Sequence, residues 1–184
     1  MNNWQRDPRW GNIKLGYSNT YIRDYGCTIS AIGNVIGVTP DVVNERMKAV
    51  GGFAFGNLVI WDKIPQAFPG IKVRRVWTYD NLDVKANTPN VIVEVPGQAI
   101  GGTGKHWVQF IGNLKCNDPW TGRTRPTADF TGFGALTGYC VITGSWNSVP
   151  TPPTDDVLVN KIKAVIDSQD SPRIKIAKIR EILK

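Results

Sequence analysis

Three side chains of this sequence have types and spacing suited to nucleophilic acyl chemistry: Cys27, His106 and Asp118. Cys27 stands in "DYGCTISAIGNVIG", directly after Gly26 and at the head of a small-residue apolar run that predicts a helix over residues 27–36. A helix N-terminus offers partial positive charge and free backbone N–H groups, which favour a thiolate and can hold an oxyanion. Gly26 would leave open space on the N-terminal side of the thiol. Free cysteine is also a common small core hydrophobe, so the motif alone leaves two roles open, nucleophile or packing residue. His106 is the only histidine of the chain and begins "HWVQFIG" after a glycine-rich loop. A strand end would hold a base firmly yet keep it reachable, and the plain alternative is a loop-edge histidine with no role. Asp118 follows twelve residues later, in "NLKCND". A hairpin turning near Asn113 makes positions 106 and 118 near cross-strand partners. A carboxylate beside an imidazole fixes its tautomer and stabilises the imidazolium. Together the three fit a Cys–His–Asp triad, in which the imidazole activates the thiol and the acid orients the imidazole.

Other chemistry is less well served. Three cysteines and one histidine, with no Cys-x-x-Cys spacing, supply no zinc site, and no cofactor is expected. "GGTGK" lacks the phosphate-loop spacing and is not followed by a helical pattern. It reads instead as the approach to His106, with glycines that let substrate backbone come close. Cys116 and Cys140 each lie in a strand-like segment, as core residues or, if those strands are neighbours, as a pair. Asp24 and Asp41 read as turn and helix-start residues. Trp107, Trp120 and Trp10 flank the candidate motifs, where they either pack around the triad or line a substrate groove.

These residues need elements to position them. Helical signals come first: the run after Gly26, then "TPDVVNERMKAVGG" with a Thr39 cap, Pro40 at the first helical position and a Gly51 stop, then a shorter candidate in "NLVIWDKIPQAF". Strand signals follow in "IKVRRVW", "NVIVEV", "HWVQFIG", "NLKCND" and "LTGYCVIT". Helices before strands predict an α+β fold with an antiparallel sheet. Three prolines between Pro150 and Pro153 mark residues 145–156 as a linker. It separates a domain over 1–144 from a tail over 157–184. In the tail Leu158, Ile162, Val165 and Ile166 recur at helical spacing, and Ser171–Pro172 opens a second helix bearing Ile176, Ile179 and Leu183. The tail is thus expected to be a helical hairpin that buries its apolar stripe on the main domain, a partner or a second copy.

Four motifs in order, "WQRDPRWGNIKLG", "YGCTISAIGNV", "GKHWVQFIG" and "CNDPWTG", resemble the papain-like cysteine peptidases of family thirty-nine. The resemblance covers Trp4 to Thr143 and is nearest to the stand-alone, peptidase-C39-like branch, relatives of the double-glycine leader peptidases of bacteriocin exporters. It implies a papain-like fold with N-terminal helices packed on the sheet. It implies Cys27 as nucleophile, His106 as base and later acid, and Asp118 as its orienting residue. It further implies a glutamine in the oxyanion hole, matched here by Gln5. Gly26, Trp107 and Trp120 fall where substrate would lie. The exporter peptidases carry their glutamine six residues before the cysteine, where this chain has Tyr21, and their membrane and ATPase domains have no counterpart here. Leader maturation coupled to export is therefore not supported.

The formal net charge is +7, spread along the chain with Arg74–Arg75 as the only adjacent basic pair. Scattered positive charge suits an anionic surface such as a cell wall, and no nucleic-acid motif accompanies it. No apolar run reaches the roughly 18 residues of a membrane span. The polar, aromatic N-terminus has no apolar core of a secretion signal, so synthesis in the cytoplasm is expected. The function expected is a cysteine peptidase acting on peptide or isopeptide bonds, with peptidoglycan peptides cut by a phage or bacterial lysin as the favoured setting. The alternatives are a non-catalytic peptide-binding module and an intracellular peptidase or amidase.

Overall fold

The computed structural model describes residues 2–76, 90–131 and 138–146, and Ile162, Val165 and Ile166 beyond them. The chain divides into two compact units, Met1–Trp146 and Asn147–Lys184. In the second unit Ile162, Val165 and Ile166 are helical. The rest of the predicted helical hairpin, and the proline-rich segment beyond Trp146, lie outside the described residues.

The first unit opens with helices. A single turn, α1 (Ile22–Tyr25), leads through Gly26 into α2 (Cys27–Ile36) and then α3 (Pro40–Ala49). Helix α2 stops at Gly37, which adopts a φ of 87° and returns its N–H to the Gly33 carbonyl at 2.8 Å. Only glycine takes that left-handed position without strain. Thr39 occupies the N-cap of α3, but its hydroxyl makes no capping bond. Pro40 with its preset φ, Asp41 in the first turn and Arg46 and Lys48 in the last supply the helix's end signals instead. The segment predicted as a third helix is mostly something else. Leu58–Val59 forms β2, paired with β1 (Phe53–Ala54), and helix α4 is confined to Ile64–Ala67. Pro65 explains the limit, because proline is tolerated only in a helix's first turn.

Six strands then build one antiparallel sheet: β3 (Ile71–Val76), β4 (Val91–Pro96), β5 (Lys105–Gly112), β6 (Lys115–Asp118), β7 (Arg123–Pro126) and β8 (Gly138–Gly144). Their order is β3-β8-β4-β5-β6-β7. A short helix α5 (Ala128–Thr131) follows β7. The architecture is α+β, with N-terminal helices preceding a large antiparallel sheet. Strands β1, β2 and β7 and helices α1 and α5 are additions to the sequence reading.

The sheet's two faces bury two cores, as period-two alternation requires. Ile71, Ile92, Trp107, Cys140 and Ile142 join Ile29, Ala31 and Ile32 of α2 and Val43 and Met47 of α3 in one. Val91, Val93, Val95, Val108, Phe110, Cys116, Tyr139 and Val141 meet Phe130 of α5 in the other. Cys116 and Cys140 are both buried and free. Two strands, β4 and β5, stand between their own. At about 4.8 Å per strand spacing that separation is well beyond the reach of a disulfide. Their pairing, open in the sequence, is closed by topology.

Candidate active site

Strands β5 and β6 turn through Asn113 and Leu114, with φ of 51° and 55°. Two consecutive left-handed residues match the right-handed twist of the strands they join. Gln109 faces Asn117 and Phe110 faces Cys116, with the register shifting between Phe110 and Gly112. Continuing that register sets Asp118 opposite Val108, not opposite His106. The two side chains meet as diagonal neighbours: the register of Gly112 with Lys115 alone would set Asp118 opposite Gln109, on the other face, and the shift moves it opposite Val108, on the face of His106. His106 Nε2 lies 2.8 Å from Asp118 Oδ1 with both side chains buried. A carboxylate can only accept, so Nε2 carries the hydrogen and Nδ1 is the nitrogen left for the thiol.

Cys27 begins α2, which packs on β5, so the thiol and the imidazole come together from the two halves of the unit. Cys27 is half-buried, its Sγ 4.0 Å from the Thr28 hydroxyl. Burial pushes the thiol up. The nearby His106 imidazole and its charge, the Trp107 backbone N–H and the Thr28 hydroxyl outweigh it and bring Cys27 below its ordinary 9.0. Burial likewise pulls His106 down, but the hydrogen bond with Asp118, the nearby Cys27 thiol, and the charges of both lift it from 6.5 to about 9. Both directions favour a thiolate–imidazolium pair. Asp118 is raised by burial and lowered more by His106, the Trp120 N–H and Arg125, so it stays an anion.

Gln5 is brought in from far along the chain by backbone ties. Asn3 N–H donates to Asn34 Oδ1 at 2.6 Å, Asn3 Nδ2 to the Val38 carbonyl at 2.7 Å, and Gln5 N–H to the Pro119 carbonyl at 2.9 Å. These link the N-terminal segment to the end of α2 and to the loop after Asp118. Gln5 is buried, and its Nε2 donates to the Arg23 carbonyl at 2.9 Å. Flipping the amide would set its oxygen against that carbonyl, so the nitrogen is held on Arg23 with one hydrogen to spare. Oε1 is a buried acceptor with no partner.

Gln5, Cys27, His106, Trp107 and Trp120 line one cleft of about 450 Å³, together with Asp24, Tyr25, Leu58, Ile100 and Lys105. Asp118 stands behind the imidazole, fully buried. Trp107 is mainly a packing residue, its ring 4.9 Å from Trp61 and 4.6 Å from the Arg75 guanidinium. Trp120 is half-exposed, with the Arg6 guanidinium 3.6 Å above its ring. Trp10 is a core residue whose Nε1 donates to the Trp4 carbonyl at 2.8 Å. Gly26 departs from expectation: a Cβ there would lie 2.5 Å from the Ile22 carbonyl oxygen and 2.6 Å from Ile22 Cγ2. The space beside it is filled by α1, and the glycine serves the tight step from α1 to α2.

Sequence reading missed the partners of Asp118. Oδ1 also accepts from the Trp120 N–H at 2.9 Å, and Oδ2 accepts from the Thr121 hydroxyl at 3.0 Å and Arg125 Nη1 at 3.1 Å. The signal was available in "DPWTG", a turn that makes residues 123–126 the next strand. Among the described residues no cluster of three or more His, Cys, Asp or Glu could hold a metal ion. Comparison with known proteins gives no match to a family model, to a curated protein or to a solved structure. What the site can do therefore rests on its own geometry: a depressed thiol, a raised imidazole and a buried carboxylate in sequence, opening on a cleft with amide donors on its wall.

Proposed function

We propose that the protein is a cysteine peptidase that hydrolyses a peptide or isopeptide bond, with Cys27 as nucleophile. The observation that carries the reading is the placement of the only histidine, its Nε2 2.8 Å from the buried Asp118 carboxylate and its ring on the same cleft wall as the Cys27 thiol. The cleft volume of about 450 Å³ is within the range of small-ligand sites.

In this mechanism the Cys27 thiolate attacks the carbonyl carbon, forming the C–S bond and an oxyanion. The Cys27 backbone N–H, free at the start of α2, and the spare hydrogen of Gln5 Nε2 stabilise that oxyanion. The His106 imidazolium gives its proton to the leaving amine as the C–N bond breaks, leaving a thioester. Neutral His106 then takes a proton from water, whose oxygen attacks the thioester carbonyl. The C–S bond breaks, the carboxylic acid leaves and the thiolate–imidazolium pair is restored. Asp118 keeps the imidazole in one tautomer throughout.

Peptidoglycan peptides are the substrate class the reading favours. The net charge of +7 suits an anionic wall, and besides Cys27 and His106 the cleft wall carries Asp24 and Lys105 as its charged side chains. The test is the mass of fragments released from purified peptidoglycan by wild type and Cys27→Ala. Release by wild type alone supports the reading, and equal release by both sinks it. Iodoacetamide at pH 6 gives an independent check. Cys27 is expected to label first, because burial pushes the Cys116 and Cys140 thiols up to about 11 and 12. Rapid labelling without peptidoglycan release points to another amide substrate. Slow labelling and no release leave a peptide-binding module.

A further inference from the structure

Asp118 is shared. One oxygen serves His106, and the other takes Arg125 Nη1 from strand β7 at 3.1 Å. Arg125 is itself held on three more sides. Its Nε lies 3.1 Å from Asp129 Oδ2, its Nη1 3.5 Å from the Ala99 carbonyl, and its guanidinium carbon 4.7 Å from the centre of the Phe130 ring. That same ring is 6.5 Å from the imidazole of His106. The guanidinium and the imidazole thus meet one carboxylate from its two oxygens and flank one aromatic ring.

We propose that Arg125 is a positioning residue for His106: it clamps the second oxygen of Asp118, fixes the carboxylate against the imidazole and takes up part of its negative charge. This rests on the reading of Cys27, His106 and Asp118 as a triad. The physical need is twofold. Besides Arg125, Oδ2 takes only the rotatable Thr121 hydroxyl, at 3.0 Å, so the guanidinium, itself fixed on Asp129 and the Ala99 carbonyl, is the firmer of the two ties that keep the carboxylate from turning. An imidazolium facing an unshared buried anion also holds its proton too tightly to pass it to a leaving amine. Arg125 offsets that anion without touching the ring.

The charged and titratable groups around His106 are few enough to separate. Cys27 of α2 and Asp118 of β6 act on it directly; behind Asp118 stand Cys116 on β6, Arg123 and Arg125 on β7, and Asp129 of α5 paired with Arg125. Lys105 precedes it on β5 and is paired with Glu94 of β4 at 2.7 Å. Arg125 is the cation bound directly to Asp118.

The chain's single histidine makes the test direct, since its imidazole gives one titrating signal in a proton–carbon NMR spectrum of the full-length protein. Arg125→Gln is expected to raise the His106 midpoint by about one pH unit, the order for a unit charge removed from across a carboxylate. Arg125→Lys keeps the charge and is expected to hold the midpoint near wild type, while kcat falls as the bridge from Asp129 to Asp118 through Nε and Nη1 is lost. Asp129→Asn, on the exposed side of the guanidinium, removes a competing anion and is expected to lower the midpoint by a few tenths. An Arg125→Gln midpoint at or below wild type overturns the proposal, as do equal shifts for the Gln and Lys variants, which mark a purely steric role. If the Gln variant does not fold, an unmoved Asp129→Asn midpoint overturns it. The titration needs no substrate, so a wild type that hydrolyses nothing defeats the peptidase reading while the coupling of Arg125 to His106 is still decided by the midpoints.

Discussion

Replacing Asp118 by asparagine removes one charge while nearly preserving shape, and the surrounding hydrogen bonds set the consequences. The carboxylate accepts four of them, from His106, Trp120, Thr121 and Arg125. An asparagine oxygen can keep the first two. Its NH₂ must then face the Thr121 hydroxyl, which can turn and accept, and Arg125, which cannot. Losing the partner of a buried ion costs about 3–5 kcal/mol. The lower end applies, because the Arg125 side chain is 22% exposed and keeps Asp129. The larger effect is on His106. Its lift from 6.5 to about 9 corresponds to about 3 kcal/mol in favour of the imidazolium, and Asp118 is the leading source of it, against burial. In Asp118→Asn only Cys27 opposes burial, so the imidazole midpoint is expected to fall by about two pH units, to near its ordinary value. The sign for Cys27 is then determined: without imidazolium its pKa rises, and alkylation by iodoacetamide at pH 6 is expected to slow by at least about tenfold. The assay pairs the NMR titration of His106 with the alkylation rate, with circular dichroism as the control for folding. A folded Asp118→Asn protein with an unchanged midpoint and an unchanged alkylation rate refutes the electrostatic reasoning.

Two substitutions test the walls of the site. Gln5→Ala is expected to lower kcat by about 10²–10³ with little change in KM, as loss of an oxyanion donor does; a change confined to KM would remove Gln5 from the oxyanion hole, and steady-state kinetics on a cleaved peptide separates the two. Gly26→Ala forces a methyl to within 2.5 Å of the Ile22 carbonyl and is expected to cost about 1–3 kcal/mol, read as a lowered melting temperature, with a matching loss of Cys27 reactivity as α1 and α2 shift; an unchanged melting temperature would show that the step between the helices has slack.

The parts of the site set by local pattern are readable from the residues alone. Small apolar residues after Gly26 spell a buried helix, and α2 runs over that stretch. Alternation in "HWVQFIG" and "NLKCND" around Asn113 spells a hairpin that brings His106 and Asp118 onto adjacent strands. The irregularity between Phe110 and Gly112 is not readable, because a register shift depends on how both strands pack. Leu58 and Val59 read as helix because a short apolar run carries no clear period, and pairing with β1 decides the matter. Gly26 reads as space for substrate when it is space for Ile22, a contact no pattern encodes.

Gln5 and Arg125 separate two ways in which a site can be hidden. Gln5 lies far upstream of Cys27 in sequence, and no spacing rule connects them. It reaches the cleft because Asn3 binds Asn34 and Val38, contacts that span 31 and 35 positions, while Gln5 binds Pro119 near the other end of the unit. Only a likeness in motif could single it out. Arg125 is hidden differently, since it lies seven positions after Asp118. The hairpin that joins them places Asp118 opposite Arg123, and Cys116 opposite Arg125. The contact with Arg125 is therefore diagonal, like the one between Asp118 and His106 across the previous strand pair. Three adjacent strands thus carry imidazole, carboxylate and guanidinium in a row, each a diagonal step from the next. Two turns and the one register shift between Phe110 and Gly112 are what the sheet needs to produce that row. The thiol has no such help, because it arrives on a helix from the other half of the unit. The dense step at Gly26 and the anchored segment around Gln5 hold that helix start at the strand where the row begins, so they are as much part of the site as Cys27, His106 and Asp118 themselves.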